Sequence, residues 1–279
     1  MNNMPKKTTL VIIGFMICMS ILSQTKHTLS VGHGTENAFN GMITSYNLKG
    51  PKIIHINYGN ERMLQKEWKS FFNAGMGISS SKLDYNFANN LSLWQPYVLG
   101  FDASVNKSFL KKIIEREMLT IHAGLITSLQ GNYQVSEYTS IPDQGGHAID
   151  FFQIGISGGV STSVQLKLRK AILQNTTSSM IAGAMLYPNY LSDNPFSNKR
   201  VGDYFVFTTV SKRNYVENRL KIEFPVYIKE KFINSFTLYH DFRYEYSTIR
   251  DNIFMRLEHS IHFGLLFKLD KFKIDGQKH

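Results

Sequence analysis

The segment from Phe152 to Leu168 reads FQIGISGGVSTSVQLKL, and its side chains sort into two sets with a period of two. Phe152, Ile154, Ile156, Gly158, Val160, Thr162, Val164, Leu166 and Leu168 form one set; Gln153, Gly155, Ser157, Gly159, Ser161, Ser163, Gln165 and Lys167 form the other. Successive side chains of an extended backbone point to opposite faces, so this is a β-strand with one apolar and one polar face. Its length narrows the choice of fold. Strands of soluble proteins run about 5 or 6 residues, whereas a tilted strand that crosses a bilayer needs about 9 to 11.

The alternation recurs on either side of this segment. It covers Ile54 to Tyr58, Phe72 to Ser79, Leu99 to Asn106, Leu119 to Leu125, Leu220 to Lys229, Arg256 to Leu269 and the mixed stretch SFTLYHDFRYEYS from Ser235 to Ser247. Fainter strands fall near Thr28 to Gly34, Met180 to Tyr187 and Tyr204 to Ser211. The total is about eleven, and single-chain bacterial outer-membrane barrels have an even number of strands. Twelve strands are therefore expected, with one missed or merged, and ten is the second choice. The predicted fold is all-β: a single closed antiparallel transmembrane β-barrel. A sheet facing lipid cannot leave edge N–H and C=O groups unpaired, and closure removes the edges. A soluble lipocalin-like barrel would reverse the faces, apolar inside and polar outside; the length and number of the strands favour the membrane.

Ser81 to Leu93, Asn132 to His147 and Pro188 to Val201 read as long polar connections, and Lys229 to Asn234 as a tight turn. Long loops at one end and short turns at the other suit such a barrel. Tyr97, Tyr133, Tyr187, Tyr204 and Tyr246 fall near strand ends, where an interfacial girdle belongs. Pro225 interrupts the hydrogen-bonding capacity of an otherwise regular strand, so a bulge or a rim position is expected there.

The ends and the composition agree with export. Met1 to Lys7 is short and basic and Thr8 to Leu22 is apolar, which is the pattern of a secretory signal peptide over residues 1–23, with the barrel over 24–279. The single cysteine, Cys18, lies inside that leader, and Ile17 before it is a poor residue for lipoprotein processing. No composition shift marks a linker in the remaining chain, so one domain is expected. Formal net charge is +10, which suits lipopolysaccharide or small anionic solutes. No basic cluster singles out nucleic acid, and lysines placed in turns and loops for solubility are the preferred account of the charge.

With the apolar faces toward lipid, the polar faces fill a lumen, and eight charged or ionisable residues of the last strands face inward: Lys221, Glu223, Asp241, Arg243, Glu245, Arg256, Glu258 and His262. Residues of opposite sign on neighbouring strands neutralise one another, and the same arrangement could act as a selective constriction. Glu258, Ser260 and His262 also share one face, a carboxylate, hydroxyl and imidazole set that a hydrolase could use if the base reached the hydroxyl. Residues two apart on a strand rise about 6.6 Å, and this set faces the lumen, away from a lipid substrate. In SFTLYHDFRYEYS the register puts His240 among the lipid-facing residues, which makes it the sharpest test of the assignment. The other histidines, His33, His55, His122 and His147, show no ligand spacing, so neither a metal nor a cofactor is expected. The glycines at 75, 77, 155, 158 and 159 lie within strands and are read as points of curvature.

Three stretches, TLSVGHGTENAF from Thr28, LKIEFPV from Leu220 and EHSIHFGLLFKL from Glu258, resemble an uncharacterised family of Gram-negative outer-membrane β-barrels. The resemblance implies the barrel and the outer membrane and brings no activity or catalytic residue. Such barrels end on an aromatic residue, for which Phe272 and Phe267 are the candidates. The expectation is a monomeric barrel in contact with outer-membrane lipids, with a narrow charge-lined lumen. Its role is non-enzymatic, as a structural barrel or a porin-like passage for small solutes. A lipid hydrolase built on Ser260 and His262, and a surface-binding barrel acting through its long loops, are the alternatives.

Overall fold

The structure, a computed structural model, describes residues 25–40, 47–64, 67–83, 97–138, 147–186, 205–228, 231–249 and 252–268. Eleven strands follow one another: β1 (Thr25–Asn40), β2 (Asn47–Met63), β3 (Trp68–Leu83), β4 (Tyr97–Glu115), β5 (Leu119–Tyr138), β6 (His147–Lys167), β7 (Ile172–Leu186), β8 (Phe205–Thr209), β9 (Arg213–Ile228), β10 (Lys231–Ile249) and β11 (Asn252–Lys268). The signal peptide, Cys18, Tyr187, Tyr204 and Phe272 lie outside the described residues.

Ten of the strands close into an antiparallel ring, with β1 paired to β11 and β6 to β7. The eleventh, β8, explains the odd count. It pairs with the end of β7, from Leu186↔Phe205 to Ala182↔Thr209, and β9 pairs with the rest of β7, from Met180↔Tyr215 to Ile172↔Glu223. Both run antiparallel to β7, and a turn over 210–212 separates them. They occupy one place in the ring. Among the described residues the ring has ten places, the second of the two expected numbers, and the count of eleven arises because one stave is built from two pieces.

Pairing also fixes the tilt. A walk along partners from Thr25 passes Arg62, Ser70, Phe109, Leu125, Val160, Ser179, Val216, Tyr244 and Leu257 and returns to β1 at Asn37, twelve residues further along the strand. A stagger of that size in a ring of ten needs strands inclined about 40° to the axis. Apart from β8 the strands run from 15 residues in β7 to 21 in β6. Crossing a bilayer takes about 9 to 11, so the wall is taller than the hydrocarbon layer. The extra length comes partly from Asn132 to Tyr138, which extends β5 where the sequence suggested a loop.

The two faces separate as the alternation requires. On β6, Ile156 and Val160 are exposed while Gln153, Ser157, Ser161 and Ser163 are buried. On β10, Phe236 is 58 % exposed and its neighbours Ser235 and Thr237 are 0 % and 2 % exposed. His240 does lie on the outer face. It is half-buried there, with its ring 5.5 Å from that of His259 on β11, so the register stands. Pro225 pairs with Ser235 next to a register shift between Phe232 and Asn234, and it lies beyond the last β7 partner, Glu223. Its missing donor is therefore not needed on the β7 side.

β1 begins and β11 ends at one end of the ring, called here the turn end, where β2, β4, β6 and β9 also end and β3, β5, β7 and β10 begin. The opposite ends of these strands define the loop end. Outward-facing Tyr133 and Tyr246 lie toward the loop end and outward-facing Trp68 toward the turn end. Aromatic rings of this kind prefer the level of the lipid headgroups. Phe267, one residue before the end of β11, stacks on His27 with ring centroids 5.6 Å apart.

Candidate functional site

The lumen holds the polar chemistry, and it has two levels. Toward the loop end, three arginines meet four carboxylates. Arg243 lies 3.7 Å from Asp102 and 3.9 Å from Glu258. Arg256 lies 3.5 Å from Glu36, 3.5 Å from Asp102 and 3.0 Å from Glu258. Arg213 donates to Glu245 at 2.7 Å and to Gln130 at 2.5 Å. The side chains of Glu258, Glu36, Asp102 and Arg243 are 7 % exposed or less. Burial of this order leaves a charge no option but a protein partner.

Some of these contacts cross the bore. Asp102 belongs to β4 and Arg243 to β10, and five steps of the ten-membered ring separate the two strands in either direction. Below them Arg219 on β9 donates to both oxygens of Asp241, at 2.6 Å each, and reaches across to Asn73 on β3 at 3.0 Å. Asn106 on β4 donates to Glu217 on β9 at 3.4 Å, and Tyr215 donates to the same carboxylate at 3.1 Å. The planar guanidinium suits this task, since one face of its fork can hold a carboxylate while the remaining N–H groups point elsewhere.

Toward the turn end the cations are lysines. Lys69 pairs with Glu61, while Lys26 and Lys221 approach Glu223 at 3.8 Å and 3.7 Å. Ser235 also donates to Glu223, at 3.0 Å. Lys69 and Glu61 stand on neighbouring strands and Lys221 and Glu223 on β9 itself, while Lys26 on β1 reaches Glu223 over three steps of the ring; a cavity of about 120 Å³ lies beside Glu61 and Lys221. A smaller cavity of about 30 Å³ lies at the level of Asp102, Arg213 and Arg243.

Each of the eight residues assigned to the lumen from the sequence faces it, but they divide between the two levels. Asp241, Arg243, Glu245, Arg256 and Glu258 join the arginine pairs, and Lys221 and Glu223 the lysine pairs. His262 belongs to a separate cluster. Its ring stacks on Tyr239 at 4.7 Å and meets His55 edge-on at 4.9 Å, and Tyr239 in turn bonds Ser30. Gly32 and Gly75 make room for this packing: a Cβ on Gly32 would overlap the His262 ring, and one on Gly75 would overlap Asn57 and crowd His55. At these two positions close approach, and not curvature alone, accounts for glycine.

Ser260 Oγ lies 2.8 Å from His262 Nε2, so the hydroxyl and the imidazole do touch. The carboxylate nearest to that imidazole is Asp241, at 3.7 Å from the same Nε2, while Nδ1 faces the Asn57 amide at 3.3 Å. Glu258 is engaged with Arg243 and Arg256. In a triad the acid orients the base through the nitrogen opposite the nucleophile, and here both partners sit at one nitrogen. Ser260 and His262 are 1 % and 0 % exposed and lie on the lumen side of the wall.

Sequence reasoning left out Glu36, Asp102, Arg213, Glu217 and Arg219 as network members. Arg213, Tyr215, Glu217 and Arg219 alternate with Asn214, Val216 and Asn218, so both faces of this part of β9 are polar and no apolar stripe marks the strand. On the outer face Asn218 donates to Asn175 at 2.9 Å and to Thr177 at 2.8 Å, which satisfies its amide there.

A closed ring of tilted antiparallel strands, apolar outside and charged within, is an outer-membrane β-barrel. Among solved structures the chain is similar to the outer membrane protease OmpT from Escherichia coli, with a TM-score of 0.53 and 10 % identity over 90 % of this chain and 100 % of that one. It is also similar to the translocator domain of the autotransporter NalP from Neisseria meningitidis, with a TM-score of 0.42 and 7 % identity over 94 % and 95 %. The first likeness is one of fold, and at such identity no residue role carries over. No family model matches the chain, and no curated relative matches its sequence.

Proposed function

We propose that this chain is a monomeric outer-membrane barrel with a closed lumen, acting as a membrane-embedded scaffold and not as an enzyme or an open pore. Its turn end faces the periplasm, and its loop end faces the cell surface, where lipopolysaccharide surrounds it. The single observation behind the closed lumen is the pairing of Arg243 with Asp102 across the full width of the ring. Arg256 and Arg213 stand beside it around a cavity of about 30 Å³, so a hydrated ion would have to break these ion pairs to pass.

Planar-bilayer recording tests this reading. The wild-type barrel is expected to give no stepwise current, and the double substitution Arg243→Ala/Arg256→Ala to give discrete openings. Regular conductance steps from the wild type would overturn the closed-lumen reading in favour of solute passage. The membrane assignment has its own check in the gel shift of the folded barrel before and after boiling; recovery of the chain in the soluble periplasmic fraction would sink it.

A second reading, lipid hydrolysis, draws support from the 2.8 Å contact between Ser260 and His262. It requires acyl chains to reach the lumen side of the wall, and Ser260→Ala should then change the lipid profile of the membrane.

A further inference from the structure

We infer that the turns joining β2 to β3, β4 to β5 and β6 to β7 form a basic, apolar-tipped rim that binds the headgroups of anionic phospholipids in the leaflet at the turn end. The inference rests on the membrane placement of the barrel and not on the closed lumen, because the residues it uses stand at or beyond the ends of the strands.

Backbone hydrogen bonds make one surface of the three turns. The N–H of Leu64 donates to the Trp68 carbonyl at 2.9 Å within the first turn, and the N–H of Leu168 donates to the Ala171 carbonyl at 2.8 Å within the third. The N–H of Lys112 on β4 donates to the Glu67 carbonyl at 2.7 Å, and that of Lys167 on β6 to the Met118 carbonyl at 2.8 Å. Each of the first two turns is thus tied to the strand beyond it. Every turn carries an exposed apolar side chain, Leu64, Met118 or Leu168. Two of these tips stand beside cations: Arg116 precedes Met118 by two residues, and Leu168 lies between Lys167 and the pair Arg169 and Lys170.

The charge of the rim is not balanced. Glu67 lies 3.9 Å from Lys111 and Glu115 lies 2.5 Å from Lys112, so these four residues cancel in pairs. Arg116, Lys167, Arg169 and Lys170 are all exposed, and none has an ion pair among the described residues. The one acid among their neighbours in the two turns is Glu117. Lysines and arginines kept for solubility have no need of exposed leucine and methionine among them; an interface between acyl chains and phosphates needs both.

The level of the rim selects a lipid over a dissolved anion. On this side of the ring exposed apolar residues run to the strand ends, with Trp68 the first residue of β3 and Ile113 two residues before the end of β4. The edge of the hydrocarbon therefore falls at the turns. Side chains of lysine and arginine there lay their stems on apolar surface and carry their charge into the headgroup layer. Both hold phosphate oxygens well. A zwitterionic headgroup brings a cation of its own, so a headgroup with net negative charge gains the larger attraction.

Quenching by brominated lipids tests the rim. Trp68 and Trp94 are the only tryptophans, so the full barrel carrying Trp68→Phe, Trp94→Phe and Leu168→Trp has a single reporter in the basic turn. It is refolded into phosphatidylcholine vesicles that contain brominated phosphatidylglycerol or brominated phosphatidylcholine as the minority lipid. The brominated phosphatidylglycerol should be preferred next to the reporter by at least about fivefold, the increment of one basic residue at an anionic surface. Adding Lys167→Gln, Arg169→Gln and Lys170→Gln, or only the last two, should bring the two lipids to parity. Equal quenching by both lipids in the starting barrel, or a preference that survives in a folded variant, would overturn the proposal. Loss of the preference in millimolar inorganic phosphate would reassign the rim to a soluble anion and overturn it as well. A chain that shows no boiling-dependent gel shift in these vesicles would fail at the membrane placement and take the proposal with it, whereas a folded barrel without a preference overturns the proposal alone.

Discussion

The two levels of the lumen use the same two signs of charge to opposite effect. At the loop-end level, arginines from β10 and β11 reach carboxylates on β1 and β4, Arg213 on β9 joins Glu245 on β10, and the bore is bridged. At the turn-end level, lysines pair with Glu61 and Glu223 over three steps of the ring or fewer, short of its full width, and a cavity remains. The cation makes the difference. A guanidinium is a rigid fork that can hold two carboxylates on different strands, whereas an ammonium is a point charge on a flexible stem that settles against the nearest acid. Where a ring of ten strands needs its centre bridged, arginine spans it.

The largest break in this comparison should come from Arg243→Ala. It strips Asp102 and Glu258 of a buried partner at once, and breaking a buried pair on one side costs about 3–5 kcal/mol. Urea unfolding of the refolded barrel, followed by tryptophan fluorescence, should show a midpoint lowered accordingly; a midpoint within error of wild type would mean that the crossing pairs do not hold the ring. Arg219→Lys should cost less, about 1–3 kcal/mol. It keeps a charge near Asp241 but loses one arm of the bidentate pair and the bond to Asn73. The smallest effect is expected from Lys221→Met, under about 1 kcal/mol. Glu223 retains Lys26 and Ser235, and the Lys221 side chain is partly in contact with water. A loss for Lys221→Met equal to that for Arg243→Ala would erase the distinction between the two levels.

Much of this barrel is legible in the chain because lipid imposes a simple rule on it. Every residue of Ser235 to Ser247 lies on the face that the alternation predicts, His240 included. The eleven alternating segments are the eleven strands, although most extend further than their apolar stripes. The stripe fades where a strand rises beyond the hydrocarbon, as at Asn132 to Tyr138, or where both faces are polar, as at Arg213 to Arg219. Parity misled the count: β8 and β9 show two separate alternations, and only their pairing to different parts of β7 reveals a single stave.

Partners within the lumen are a different matter. Alternation says that Asp102 and Arg243 face inward, but nothing local connects residues 141 positions apart. Their meeting depends on the number of strands and on the twelve-residue stagger, which together decide which side chains stand opposite one another at the same height. The proximity of His55 on β2 to His262 on β11 has the same origin.

The sequence by itself therefore determined the class of fold, the lipid-facing surface and the inward set of charges, because a two-residue period in a chain of long strands has few other solutions in a membrane. Whether the lumen is bridged or open, and at which level, only the closed ring decided. Long-range contacts across a barrel are set by its circumference and tilt, and neither is a property of any one strand.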